Sequence, residues 1–227
     1  MACRPIFLPI SSKTTFVRTV DVEFKWYAGM SVSQKQKSIA SLHESVITKD
    51  LSKNPLEISS KSESPLGVQL SAFNLRFQNI DWSFGCVETA FQGSKVYEFG
   101  GPFTDLYSAT ARAAKKDERL KNSGKLTAFN FMGEDWPLQP QTLFYDWLYL
   151  NALNQNQDLA NNISEFDGFT DIEFNPKKSI NCQAHSAALY VALLKSGQLE
   201  SVLESKETLK SLSFYTGKVQ PVQALLI

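Results

Sequence analysis

The placement of two hydrophobic periods constrains this chain most. β-type runs are concentrated in residues 4–10 and 15–27, whereas most of the remaining chain repeats at the spacing of an α-helix. The pattern predicts an α+β fold: a mainly helical single domain of residues 1–227 with a small N-terminal antiparallel sheet. Ser33 and Gln36 form a capping-box pattern, and Val32, Ile39, Leu42 and Val46 recur at helical spacing, predicting a helix over about 33–47. A polar Ser/Lys/Pro stretch over 52–65 reads as a loop, and 67–73 as a short extended segment. Further helices are expected over about 86–98, before Gly100-Gly101-Pro102, and from a Thr104 cap to Asn122-Ser123-Gly124. Two more are expected, an aromatic-rich one over 142–154 and one over 182–195 capped by Asn181.

Composition narrows the class. With 227 residues the chain can bury a core without disulfide or metal staples. No apolar stretch approaches a bilayer-spanning length, and Pro5-Ile6-Phe7-Leu8-Pro9-Ile10 is too short and Pro-broken for a signal segment, so a cytoplasmic location without membrane association is expected. Three dispersed Cys and two His argue against a Cys/His metal site and fit a reducing compartment. The 23 basic and 23 acidic residues balance overall but not locally. Residues 1–53 carry eight Lys/Arg against four Asp/Glu, and residues 112–125 carry six against two. Both stretches are either solvated faces or polyanion contacts. Acidity gathers in residues 165–173, where four carboxylates meet no basic partner in sequence.

Lys35 is the most informative residue because helical steps from it reach Val32, Ile39 and Leu42. Burial on that face and the positive end of the helix dipole both disfavour an ammonium, which suits a nucleophilic amine. The alternative is a snorkelling side chain whose stem covers the core. Lys37 projects to the opposite side as an ordinary exposed lysine. Glu88, Gln92 and Lys95 fall along one helical stripe, which either faces solvent or lines a cleft walled by nearby Trp82 and Phe84. Asp171, between Phe169 and Ile172, needs either a structural partner such as Lys177 or a catalytic use. His43 reads as a structural histidine.

Three segments resemble the NADAR family. Residues 64–74, Ser-Pro-Leu-Gly-Val-Gln-Leu-Ser-Ala-Phe-Asn, are similar to its Leu-Ser-Asn-Phe stretch; Val87-Glu88-Thr89-Ala90-Phe91-Gln92-Gly93-Ser94-Lys95 resembles its Val-Glu-His and aromatic-Gln-x-x-Lys helix; and the Asp171 region followed by Asn181 resembles its C-terminal elements. Gly29-Met30-Ser31, Gln34-Lys35-Gln36-Lys37-Ser38-Ile39 and Leu42-His43 resemble the branch-specific N-terminal segment, residues 1–53, of NADAR antitoxins paired with DarT-type toxins. The likeness runs from about residue 4 to 200, with Ser71-Ala72-Phe73-Asn74 rearranging the Ser-Asn-Phe order and Thr89 standing where many members have His.

The resemblance implies a NADAR-like fold and a hydrolase that removes ADP-ribose from guanine in DNA, undoing the lesion of a partner DarT-type toxin. Cleaving a base–ribose bond requires protonation of the leaving base and stabilisation of an electron-poor C1″, and an amine adds the option of a Schiff base at that carbon. Carried over by motif position, Glu88 becomes the general acid/base, and Asp171 orients Lys35 or the ribose hydroxyls. Lys95 and Asn74 contact phosphate and ribose, and Ser71, Gln92 and Asn181 join the substrate-binding set. Phe73, Trp82 and Phe91 are candidates to stack on a base. No metal or other cofactor is implied. The basic stretches would hold the DNA strand, with ADP-ribose as product. The competing expectations are an ADP-ribose-binding or toxin-neutralising protein without turnover, and an N-glycosidase of a small metabolite.

Overall fold

The computed structural model describes residues 1–10, 15–78 and 85–212. β1 (Ala2–Pro9) and β2 (Val17–Phe24) form an antiparallel hairpin whose register runs from Ala2 opposite Phe24 to Pro9 opposite Val17. Side chains of β1 alternate between two cores, as the period of two demands. Ile6 and Leu8, with Val22 and Phe24 of β2, pack against Ile39, Leu42 and Val46 of α1 (Val32–Thr48), while Phe7 enters the main core.

α1 starts earlier than the capping-box pattern suggests. Ser31, in extended backbone, accepts from the Gln34 amide at 3.3 Å and is the cap, so Ser33 lies inside the helix. Val32 is also displaced from its expected role. It is 49% exposed, and the buried stripe begins with Ser38 and Ile39.

The polar stretch after α1 hides a strand. β3 (Pro55–Glu57) pairs parallel with β7 (Gly168–Thr170), Leu56 opposite Phe169, and β7 touches β1 antiparallel at Phe7 and Phe169. The sheet order is β2-β1-β7-β3, so the N-terminal antiparallel hairpin is extended by a parallel pair drawn from elsewhere in the chain. The expected extended segment at 67–73 is instead opened by α2 (Pro65–Gln69), for which Pro65 supplies a preorganised first turn. Gly67 lies so close to β3 that a Cβ there would collide with the Glu57 carbonyl.

α3 (Val87–Gly93) ends five residues short of expectation because Ser94 caps it, and β4 (Lys95–Tyr97) pairs with β5 (Leu126–Phe131). β5 also pairs with β6 (Glu134–Trp136), giving a second sheet that the local sequence pattern does not announce. The helix expected from Thr104 is broken into a 3₁₀ turn (Thr104–Ser108), α4 (Ala111–Lys116) and α5 (Arg119–Asn122). Thr110, accepting from the Ala113 amide at 3.2 Å, is the cap of α4. α6 (Leu143–Asn154) appears as expected and is followed by α7 (Gln157–Ile163). α8 (Gln183–Lys195) is capped at Cys182, not Asn181, and precedes α9 (Leu199–Glu204) and α10 (Lys206–Ser211). α6 and α8 are apolar around most of their circumference and form the centre of the main core. No helix among the described residues is long and apolar enough to cross a membrane.

Leu42, fully buried between α1 and the hairpin, anchors the helix that carries Lys35. Leu42→Ala is expected to lower unfolding stability by about 2–5 kcal/mol. Val32→Ala, on the exposed side, should stay within about 0.5 kcal/mol of the parent in the same urea titration.

Candidate active site

Lys35 points from the first turns of α1 towards the segment that leaves β7. Its Nζ lies 3.1 Å from Glu173 Oε1 and 4.8 Å from the centre of the Trp26 ring, with 17% of the side chain exposed. The amine is therefore neither unpaired in an apolar face nor snorkelling freely. A carboxylate faces it, and an indole covers its flank. Lys37 is exposed, as its helical position requires.

Two buried carboxylates flank the same segment. Asp171, 7% exposed, accepts at Oδ1 from the amides of Glu173 (3.0 Å) and Phe174 (3.2 Å), and at Oδ2 from Gln183 Nε2 (3.0 Å). The lysine partner suggested by sequence, Lys177, is exposed; Gln183 and backbone amides take its place. Glu57, 2% exposed, accepts from the Ile172 amide at 2.8 Å and from Thr170 Oγ1 at 2.6 Å. Burial, reinforced by the charge of Glu57, pushes the Asp171 carboxyl up to about 8 against its three N–H donors. Glu57 is raised in the same direction, chiefly by burial. Two such acids sharing one environment hold a proton at neutral pH.

His43, two turns beyond Lys35 on α1, completes the contact with this segment. Its Nε2 is 2.9 Å from Thr170 Oγ1. Because Thr170 donates its proton to Glu57, its oxygen accepts from His43, which assigns the imidazole proton to Nε2. Burial lowers the His43 pKa to about 4, so the neutral ring expected of a structural histidine is the stable form.

Glu88, 5% exposed, comes from α3 on the other side of Asp171 and Gln183. Its Oε1 accepts from Gln92 Nε2 at 2.9 Å and lies 3.6 Å from Lys115 Nζ of α4. The stripe containing Glu88 and Gln92 is thus turned inward rather than to solvent. Lys95 belongs to β4, beyond the helix end, with its Nζ 5.1 Å from the Phe91 ring centre. Burial lowers the Lys95 pKa to about 8; the Glu88 charge opposes that shift and the Lys115 charge adds to it.

A chain of contacts joins the two halves. Lys35 meets Glu173, whose amide donates to Asp171; Asp171 accepts from Gln183; Gln183 Oε1 accepts from the Ala72 amide at 2.7 Å; and the Ala72 carbonyl accepts from the Glu88 amide at 2.9 Å. The chain ties together the segments that carry Lys35, Asp171 and Glu88, and two carbonyl oxygens close to it in sequence, Gln92 Oε1 of the amide that holds Glu88 and Asn181 Oδ1 two residues before Gln183, are buried without a hydrogen-bond partner among the described residues. Such acceptors are costly unless a ligand fills them.

A family model described as DarT1-associated NADAR antitoxin matches residues 2–222. The chain belongs to this family. No curated protein matches it.

In this NADAR chain the remaining sequence-derived positions differ in what their side chains do. Ser71 donates to the Val68 carbonyl at 2.9 Å, and Asn74 Nδ2 reaches the same carbonyl at 2.8 Å and Ser71 Oγ at 3.1 Å, so both brace the loop after α2. Phe73 is half-buried beneath Lys115, 5.0 Å from its ammonium. Phe91 is 7% exposed among Phe129, Phe144 and Tyr145, which occupy its surroundings as core neighbours. Trp82 lies outside the described residues. Sequence reasoning missed Trp26, Glu57, Glu173, Lys115, Gln183 and Tyr145. Only Glu173 and Lys115 had a signal, as members of the acidic and basic stretches, and neither stretch names its partner.

The Asp171 shift predicts a pH dependence. Its folded value lies above 3.8, so its contribution to stability is full below that pH and disappears as pH rises through about 8. Wild-type stability is expected to fall relative to Asp171→Asn between about pH 5 and 8. Chemical denaturation across that range checks it; parallel curves would place the carboxyl at an ordinary value.

Proposed function

We propose that this NADAR antitoxin is an ADP-ribosyl hydrolase that cleaves the bond between ADP-ribose and guanine in DNA, reversing modification by its DarT-type toxin. The observation that carries this reading is the contact chain that links the Lys35 amine through Glu173, Asp171 and Gln183 to the backbone amide of Glu88, with two buried acceptors beside it that have no partner among the described residues.

In this reading Glu88 exchanges a proton with the leaving base, and the protonated Asp171–Glu57 pair supplies the proton taken by the ribose ring oxygen as its bond to C1″ breaks. Glu173, 3.1 Å from Lys35, receives the ammonium proton. The free amine adds to C1″, guanine leaves with its bonding electrons and a proton, and a Schiff base remains. Water then hydrolyses that imine, returning the amine and releasing ADP-ribose as it recloses. Lys95 and Lys115 exceed Glu88 by one charge where an anionic diphosphate needs neutralising. Lys115 also links the site to the basic stretch 112–125, which suits a DNA strand and makes its affinity fall with salt.

Incubation with an ADP-ribosylated guanine oligonucleotide tests the reading. Wild type should release ADP-ribose, Lys35→Ala and Glu88→Gln should each lose at least about 10²-fold in rate, and borohydride added during turnover should leave ADP-ribose on Lys35. Cleavage that proceeds with nothing trapped would leave Lys35 an electrostatic helper. Tight ADP-ribose binding without turnover would make the protein a reader, and turnover confined to small N-glycosides would make it a metabolite glycosidase.

A further inference from the structure

α6 carries two buried tyrosines one turn apart whose hydroxyls have different fates. Tyr149 donates to the Leu70 carbonyl at 2.8 Å and so ties α6 to the end of α2. Tyr145, 6% exposed, makes no hydrogen bond through its hydroxyl to any described residue. Its ring is pinned edge-on to Phe91, with centroids 5.2 Å apart and planes at 90°, so the side chain is not free to swing out. The phenol feels the charges of both Glu88 and Asp171, which come from α3 and from the exit of β7. It therefore lies within electrostatic reach of both carboxyl groups.

Gln92 Oε1 and Asn181 Oδ1 supply an independent observation. Both are buried carbonyl oxygens without a partner among the described residues; the first belongs to the amide that holds Glu88, the second sits two residues from the amide that holds Asp171. A ligand that satisfies all three groups must offer hydrogen-bond donors to the carbonyls and an acceptor to the phenol. A ribose does both, because its hydroxyls donate and its ring oxygen accepts.

We propose that Tyr145 is a further catalytic residue, whose hydroxyl donates a hydrogen bond to the ribose ring oxygen beside the anomeric carbon, while Gln92 and Asn181 accept from the ribose hydroxyls. The proposal rests on the hydrolase reading and deepens it. Charge grows on the ring oxygen as its bond to C1″ opens, so a fixed donor there stabilises the transition state more than the ground state. Tyr145 gives a hydrogen bond and keeps its proton. Burial and the neighbouring Glu88 carboxylate hold the phenol well above its ordinary pKa, so the hydroxyl stays protonated. The proton for the ring oxygen comes from the carboxyl pair.

Tyr145→Phe removes one oxygen and keeps the ring against Phe91. Turnover of an ADP-ribosylated guanine oligonucleotide should fall by about 10²-fold in kcat with KM within about threefold, as for loss of one preorganised donor. The melting temperature should hold or rise, because no hydrogen bond to a described residue is lost. Tyr149→Phe serves as the structural control: it loses the Leu70 bond and should melt lower while keeping kcat within about threefold. Wild-type turnover with Tyr145→Phe equally active overturns the proposal and leaves the hydrolase reading intact. A rate loss that accompanies a matching loss of melting temperature makes the hydroxyl structural and also overturns it. Absence of turnover in wild type removes the hydrolase reading and this proposal with it.

Discussion

The arrangement depends on one buried carboxyl group. Glu57, at the end of β3, pairs with no cation among the described residues, yet its two oxygens receive the Thr170 hydroxyl and the Ile172 amide. Burying such a group is unfavourable unless hydrogen bonds replace the lost water, and these two do so only if residues 170–172 lie where they are. The requirement fixes the path of the chain leaving β7. Asp171 and Glu173 sit on that path, so their positions are set by a residue more than a hundred positions earlier in the sequence.

α1 reads the same path from outside. His43 bonds to Thr170 and Lys35 pairs with Glu173, while Ile39 and Leu42 between them are buried in the apolar cluster that includes Ile172. Polar contacts at two turns of the helix set its register and the apolar contacts hold it down. The N-terminal segment is therefore packed onto the candidate site rather than appended to the fold. Its helix brings the amine, and β2 continues directly into Trp26, which covers that amine.

Glu88 stands in a second compact group. Glu88 is held by Gln92 and approached by Lys115, with Lys95 near enough for their charges to interact. Those neighbours leave the Gln92 carbonyl without a partner among the described residues. Polar groups left unsatisfied in a well-packed interior are uncommon, and in this chain Gln92 and Asn181 border the same group of acids.

The sequence alone determined the hairpin, α1, α6 and α8, because each has a strong hydrophobic period of its own. It also singled out Lys35, Glu88 and Asp171, the first from its helical position, the second from its inclusion in a polar stripe, the third as an acid among apolar residues. It misread the segments whose conformation is set by distant partners. β3 looked like polar linker because its pairing strand lies beyond residue 165, and Lys95 looked helical because nothing local announces its pairing with Phe129. Glu57 and Tyr145 carry no local pattern at all, and Glu173 shows only as one acid of an acidic stretch. Their meaning is in their neighbours. Only the tertiary structure decided which acid faces the amine and which hydroxyl finds no partner among the described residues, since hydrogen bonds and ion pairs form between side chains by distance in space, to which spacing along the chain is blind.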